Sequence, residues 1–184
     1  SSMDAHVNPT FLSLAYAESA KKIGAKILTD TEVMEINVSN GKIEEIKCNK
    51  GKIKTEIVVN AAGVYAPIIA NMVGIDIPIV PRRGQIVVTE PMPKMLNHVM
   101  ICNRYIKTKY NADASQNPLG IGLALEQTRA GSILIGSTRE FVGYNRNVTP
   151  EGIMAILNYA GRFVPAISNL NIIRTFAGLR PYTK

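Results

Sequence analysis

The chain has 184 residues, 46% of them apolar, and a net charge of +7. That is enough to bury a core hiding roughly 70% of the unfolded surface, and too apolar for wholesale disorder. Trp is absent and aromatics are only 6%, which argues against a base-stacking nucleic-acid platform. Cys48 and Cys102 cannot make a disulfide framework, so a reducing, cytoplasmic compartment is expected. No apolar stretch approaches the roughly 20 residues of a transmembrane helix. Residues 1–76 carry 8 basic and 9 acidic side chains, residues 77–184 carry 13 and 5. The cationic surplus therefore lies wholly in the second part, which either handles anions or has a basic surface.

In chain order, Asn8 and Pro9 open a helix as cap and first residue. Phe11, Leu12, Leu14, Ala15 and Ala20 recur at helical spacing, and Lys21, Lys22 and Gly24 close it. A strand over 26–28 should follow. Val33, Ile36 and Val38, the turn dipeptide Asn40-Gly41, Ile43, Ile46 and Cys48, a second turn at Lys50-Gly51 and then Ile53 describe a small antiparallel meander. Ile57-Val58-Val59 has the continuous apolar pattern of a strand covered on both faces. The small residues Asn60-Ala61-Ala62-Gly63 end it, and a helix over 67–72 follows, closed by Gly74.

Beyond Asp76, strands are expected over 77–80 and 86–89, around Pro81-Arg82-Arg83-Gly84-Gln85. Pro91 and Pro93 mark a break. Two short strands are expected within 97–110, a polar loop over 111–118, and strands over 121–126 and 132–135 joined near Ala130-Gly131. Thr149 or Pro150 opens a helix through Ile153, Ile156, Leu157 and Ala160 that ends before Pro165. A last strand over 172–176 runs into Gly178-Leu179-Arg180-Pro181.

Tests for chemistry are mostly negative. His6, His98 and the cysteines have no metal-ligand spacing. There is no Gly-x-Ser-x-Gly elbow, no P-loop and no Gly-x-Gly-x-x-Gly after a strand. Three local features remain, each with a plain structural reading beside the functional one. The turn at Ala61-Ala62-Gly63 lets a cofactor, or simply another backbone, come close. Gln85, beside an apolar run, points into a pocket or sits at a strand edge. Arg180, held between Gly and Pro, either presents its two-pronged guanidinium to a carboxylate or is a surface arginine at a strand end.

Taken together, His6-Val7-Asn8-Pro9, Val58 to Gly63, Pro81 to Gln85, Ile135 to Glu140 and Ala177 to Pro181 resemble, in the same order, FAD-dependent amino-acid oxidoreductases of the D-amino-acid oxidase superfamily. The branch with glycine oxidase, the sarcosine oxidase beta subunit and D-amino-acid dehydrogenases is the nearest in flavour. The resemblance covers nearly the whole chain. It implies an internal segment of a longer parent, since the pyrophosphate-binding glycine motif that opens the family is not in this sequence. It implies an α+β fold: a mixed, largely antiparallel sheet flanked by helices, the substrate-binding domain, with part of an FAD-binding α/β domain. Residues 1–76 would belong to the FAD-binding domain, 77–178 to the substrate domain, and 179–184 would begin the return.

The resemblance further implies that FAD is the cofactor, met by Val33 at the adenine edge and by Ala61, Ala62 and Gly63, with Tyr65 where the family commonly has Trp. Arg180 matches the arginine that binds the substrate carboxylate, and Gln85 joins it as a substrate-binding candidate. Ala124 stands where the glycine oxidase branch has a tyrosine, so the amine is left open. The implied reaction is oxidation of a C–N bond in a small amino acid or secondary amine, by hydride transfer to flavin, in a homo- or hetero-oligomeric parent without nucleic-acid partners. No catalytic acid–base residue and no metal is expected. Two rivals stand beside this reading: a non-enzymatic anion-binding module, resting on the basic 77–184, and a segment inactive in isolation.

Overall fold

Asn8 accepts hydrogen bonds from the amides of Thr10 (3.0 Å) and Phe11 (3.1 Å) and so caps the first helix. In the computed structural model, which describes residues 7–110 and 119–183, that helix is α1, Pro9–Lys22. Lys21 and Lys22 stand in its last turn, and Gly24 follows at φ +98°. Both features match the sequence reading. His6 and the loop expected over 111–118 lie outside the described residues.

The chain forms two compact units, residues 1–59 and 60–184. In the first, β1 (Val33–Ser39), β2 (Lys42–Cys48) and β3 (Gly51–Lys54) form the expected antiparallel meander in the order β1-β2-β3. Asn40 and Gly41 both take left-handed backbone (φ 48° and 75°), as a two-residue hairpin requires. Residues 26–28 and 57–59, both expected as strands, join no ladder. A strand exists only where a neighbour accepts and donates its backbone hydrogen bonds, and no described segment does so here. Ile57 and Val59 accordingly stand 79% and 85% exposed, not covered on both faces.

The second unit begins with a 3-10 turn over Gly63–Tyr65 that leads into α2, Ala66–Asn71. Next comes β4, Ile79–Thr89, one continuous strand where two had been expected. The reason lies in its register with the last strand, β8 (Ile172–Thr183). Pro81 stands opposite Pro181, while both backbone groups of Arg83 bond Glu140 on the other side (2.8 and 2.9 Å). By alternation Pro81 and Pro181 meet at a position where neither owes the other a hydrogen bond, so no break is needed.

Between them lie β5 (Met100–Ile101), α3 (Asn103–Tyr110), β6 (Ala124–Gln127), β7 (Ile133–Gly136), α4 (Pro150–Gly161) and a 3-10 turn over Pro165–Asn169. Helix α3 replaces the second short strand expected in 97–110. The carbonyl and thiol of Cys102 both accept the Tyr105 amide (2.9 and 3.3 Å), a local cap that competes with extended backbone. The five strands run antiparallel in the order β5-β6-β7-β4-β8. This is the mixed α+β, largely antiparallel architecture expected.

Alternation along β4 separates two faces. Val87, Leu125, Ile133 and Ile135 point toward Ile156 and Ala160 of α4 and Ile167 of the following turn, and together with Leu123 they form the core. Each such aliphatic side chain contributes about 1.5–3 kcal/mol of burial. The opposite face carries Gly84 and Ile86, and their register partners Gly178, Phe176 and Gly136, and is not covered by that helix layer.

Candidate functional site

Arg180 lies on this second face, directly across from Arg82 in the β4–β8 register. Its guanidinium lies flat over Gly84: a Cβ built on Gly84 would collide with the guanidinium carbon and both terminal nitrogens. Two acceptors hold it there. Nη2 donates to Ser137 Oγ (2.9 Å) and Nη1 to the Thr138 carbonyl (3.3 Å). An arginine stretched out from a strand would sweep a wide arc; this one is fixed by a missing side chain beneath and two acceptors beside it. Burial of the charge lowers its proton affinity somewhat from the ordinary arginine value, and it stays cationic.

The segment holding Arg180 is itself clamped from the core side. Thr138 Oγ1 donates to Glu140 Oε1 (2.6 Å) and accepts the Gln85 amide (3.0 Å). Glu140 receives Arg83 at both oxygens, Nη2 to Oε2 at 2.6 Å and Nε to Oε1 at 3.3 Å, with both side chains buried. Burial alone would raise the Glu140 carboxyl, but donors from Arg83, Gln85 and Thr138 outweigh it and hold the group below the ordinary carboxylate value.

Gln85 is therefore not beside Arg180, contrary to the expectation that it joins the substrate site. Its side chain is fully buried on the helix face, donating to Glu140 Oε1 (2.8 Å) and Thr149 Oγ1 (3.2 Å) and accepting the Thr149 amide (2.8 Å). An odd position on β4 cannot share a face with an even one. Gln85 ties the strand to the N-cap of α4.

At the Arg180 end of the sheet, Arg82, Tyr105, Arg139, Arg180, Pro181 and Tyr182 line a cavity of about 260 Å³. Arg82 lies over the rings of Tyr182 (4.9 Å) and Phe141 (5.3 Å), and Arg139 over Tyr105 (4.2 Å). None of Arg82, Tyr105, Arg139 and Tyr182 was singled out from the sequence. They come from four distant segments, and only the alternation of Arg82 with Arg83 on an even–odd strand could have hinted at one of them.

The turn expected at the cofactor is built as a short clamp. Asn60 accepts the Ala62 amide (3.2 Å) and donates to the Ala66 carbonyl (2.9 Å). Ala61 is exposed, and Gly63 has φ +58° with open space where a Cβ would stand. Tyr65 stacks on Tyr144 (5.3 Å, 12°), whose hydroxyl donates to the Val64 carbonyl (3.1 Å). A backbone this bare, next to an ordered ring pair, accepts the close approach of a flat ring system. Val33 belongs to the other compact unit. It opens β1 on the edge of the meander, paired with Cys48 and followed by a register shift.

The second unit is thus an open antiparallel sheet that seats an arginine over a glycine, with a bare turn before its first strand. The whole chain, residues 1–184, matches the family described as FAD dependent oxidoreductase (DAO), and the chain belongs to that family. FAD is the family's cofactor, and the residues at Ala61 to Tyr65 fit such a group. Similar proteins include the hydrogen cyanide synthase subunit HcnC of Pseudomonas aeruginosa, 34% identical over 97% of this chain and 39% of that protein. The glycine oxidase of Bacillus subtilis is 26% identical over 98% of this chain and 44% of its own. Among solved structures, L-proline dehydrogenase from P. horikoshii superposes with a TM-score of 0.81 at 34% identity, over 97% of this chain and 44% of that one. The chain thus spans about two fifths of the length of the relatives it matches. Among the described residues, no helix is long and apolar enough to cross a membrane.

Proposed function

We propose that the full-length protein oxidises the C–N bond of a small amino acid or secondary amine, and that this chain supplies its substrate-binding portion. The observation that carries the reading is the seat of Arg180 on Gly84, held by Ser137 and Thr138 at the edge of the cavity. A carboxylate meeting this fork receives two parallel charge-assisted hydrogen bonds, which fixes the orientation of the carbon bonded to it. FAD, when bound, supplies the acceptor for the hydride. Ala61, Ala62, Gly63 and Tyr65 would meet it along the bare turn, and Val33 keeps the adenine-edge role that the family resemblance implies. Gln85 we assign a positioning role, through Thr138 and Glu140.

Functionally we keep 1–76 on the cofactor side, 77–178 as the substrate domain and 179–184 as the return. This partition differs from the two compact units in giving α2 and the turn before it to the cofactor. That relatives are named glycine oxidase and L-proline dehydrogenase supports an amino-acid substrate. A relative named as a subunit supports a hetero-oligomeric parent. Cys48 and Cys102 as free thiols support a reducing, cytoplasmic setting. The 184-residue chain alone is expected to be inactive, lacking the glycine motif for the pyrophosphate.

Arg180→Met in the full-length protein tests the reading. A charge-assisted pair of this kind contributes about 1.5–3 kcal/mol, so KM for carboxylate substrates should rise by roughly one to two orders of magnitude. An unchanged KM removes Arg180 from the anchor role.

A further inference from the structure

One buried arginine holds both ends of the loop over 140–147. At the near end, Arg83 exchanges both backbone hydrogen bonds with Glu140 (2.8 and 2.9 Å) and pairs with its carboxylate. At the far end, Arg83 Nη1 donates to the Asn147 carbonyl (2.7 Å), and the Asn147 amide donates to Asn145 Oδ1 (2.9 Å). Arg83 is only 3% exposed. A loop pinned to a sheet in this way carries its side chains at defined places, as binding loops on a rigid scaffold do.

Two of those side chains reach different neighbours. Phe141 meets Tyr182 edge-on (5.2 Å) and lies under Arg82 (5.3 Å), at the wall of the Arg180 cavity. Tyr144 goes instead to the bare turn. Its ring stacks on Tyr65, and its hydroxyl donates to the carbonyl of Val64, 80 residues earlier. The hydrogen bond holds the backbone of the turn, and the stack holds the plane of the Tyr65 ring. Asn60 already closes the base of the turn through Ala62 and Ala66, but it leaves that ring free to rotate about its own Cβ. Both tyrosines stay 44% exposed although they are stacked. An aromatic surface is thus ordered in advance beside open backbone, and little side-chain freedom is left to lose when a flat ligand covers it.

Resting on the reading that Ala61 to Tyr65 meet FAD, we propose that Tyr144 is a positioning residue for the cofactor. Through Tyr65 and Val64 it sets the surface of the turn. The loop over 140–147 ties that surface to the wall of the cavity where Arg180 receives the carboxylate.

The test uses the full-length protein, freed of FAD and titrated with it. Tyr144→Phe keeps the ring and loses the bond to Val64, whereas Tyr144→Ala loses both. The Kd for FAD should rise about threefold in the first and about tenfold or more in the second. The visible circular dichroism of the bound flavin should change in Tyr144→Ala and be retained in Tyr144→Phe. Because Tyr144 acts through Tyr65, the double variant with Tyr65→Ala should weaken binding by less than the product of the two single effects. A lower Tm of the FAD-free protein with Kd and dichroism untouched would show a merely structural tyrosine and overturn the proposal. Two single effects that simply multiply overturn it as well. A Kd raised by Tyr65→Ala but by neither Tyr144 variant overturns this inference alone. A Kd unchanged even in Tyr65→Ala overturns the cofactor reading of the turn, and this inference with it.

Discussion

At the scale of single residues, Gly84 decides where the Arg180 guanidinium can lie. Gly84→Ala places a methyl group against the guanidinium, which is the far end of a flexible side chain, so the arginine yields before the sheet does. KM for carboxylate substrates should therefore rise by about tenfold, the loss of roughly one charge-assisted contact. Thermal stability should stay nearly unchanged. A large drop in Tm with unchanged KM would contradict this division of roles. Glu140 behaves in the opposite way, through stability. Its folded carboxyl lies below the ordinary value of 4.5 because the donors from Arg83, Gln85 and Thr138 outweigh the effect of burial. The native state then binds fewer protons than the unfolded chain. The stabilisation is fully present above pH 4.5 and is lost as pH falls through the lower folded value. Glu140→Gln should flatten that acid-side loss in denaturant titrations. At neutral pH it should cost about 3–5 kcal/mol, since it leaves the buried Arg83 charge with neutral acceptors, the Asn147 carbonyl (2.7 Å) among them, and no counter-charge from position 140.

At the scale of elements, the first turn of α4 depends on a glycine for a packing reason. Gly152 lies against the Gln85 side chain, with the Gln85 Cδ 2.7 Å from where a Cβ would stand. Gly152→Ala gains about 1 kcal/mol of helix propensity. It must nevertheless displace an amide fixed by Glu140 and Thr149, an overpacking cost of about 1–3 kcal/mol. We expect a net loss of stability, seen as a lower denaturation midpoint at unchanged m-value. This site also shows what sequence could and could not tell. Elements with local signals were legible: Asn8-Pro9 for α1, Asn40-Gly41 for the hairpin, Thr149-Pro150 for α4. In each the decisive hydrogen bond spans only a few residues. Those set by partners far along the chain were not: β4 looked broken at Pro81 because only the register with Pro181 shows the prolines to be harmless. Gln85 could not be separated from Arg180 in sequence, because the parity that puts them on opposite faces exists only once β4 and β8 are paired.

At the scale of the whole molecule, the basic surplus of 77–184 has partly turned inward. Arg82, Arg83 and Arg139 are buried at 7%, 3% and 8% exposure. These charges face a cavity and an ion pair and give no patch to a polyanion, which weakens the case for a nucleic-acid surface. The apolar surplus has gone the other way. Ile57 and Val59 are β-branched, consecutive with Val58, and almost fully exposed, while residues 26–28 have strand character without a ladder. β-Branched runs of this kind suit a strand covered on both faces. The chain spans only about two fifths of its relatives' length, so neighbouring strands can come from the rest of the parent. We therefore expect the amides of 57–59 and 26–28 to exchange on the minutes-to-hours scale in the full-length protein, and at near-unfolded rates in the 184-residue chain. The β4–β8 amides, whose partners lie within this chain, should be protected in both and serve as the internal control. Equal, fast exchange of 57–59 in both proteins would mean that the segment is no strand even in the parent. The exposed isoleucine and valine would then need a different partner, one that covers side chains without pairing backbone.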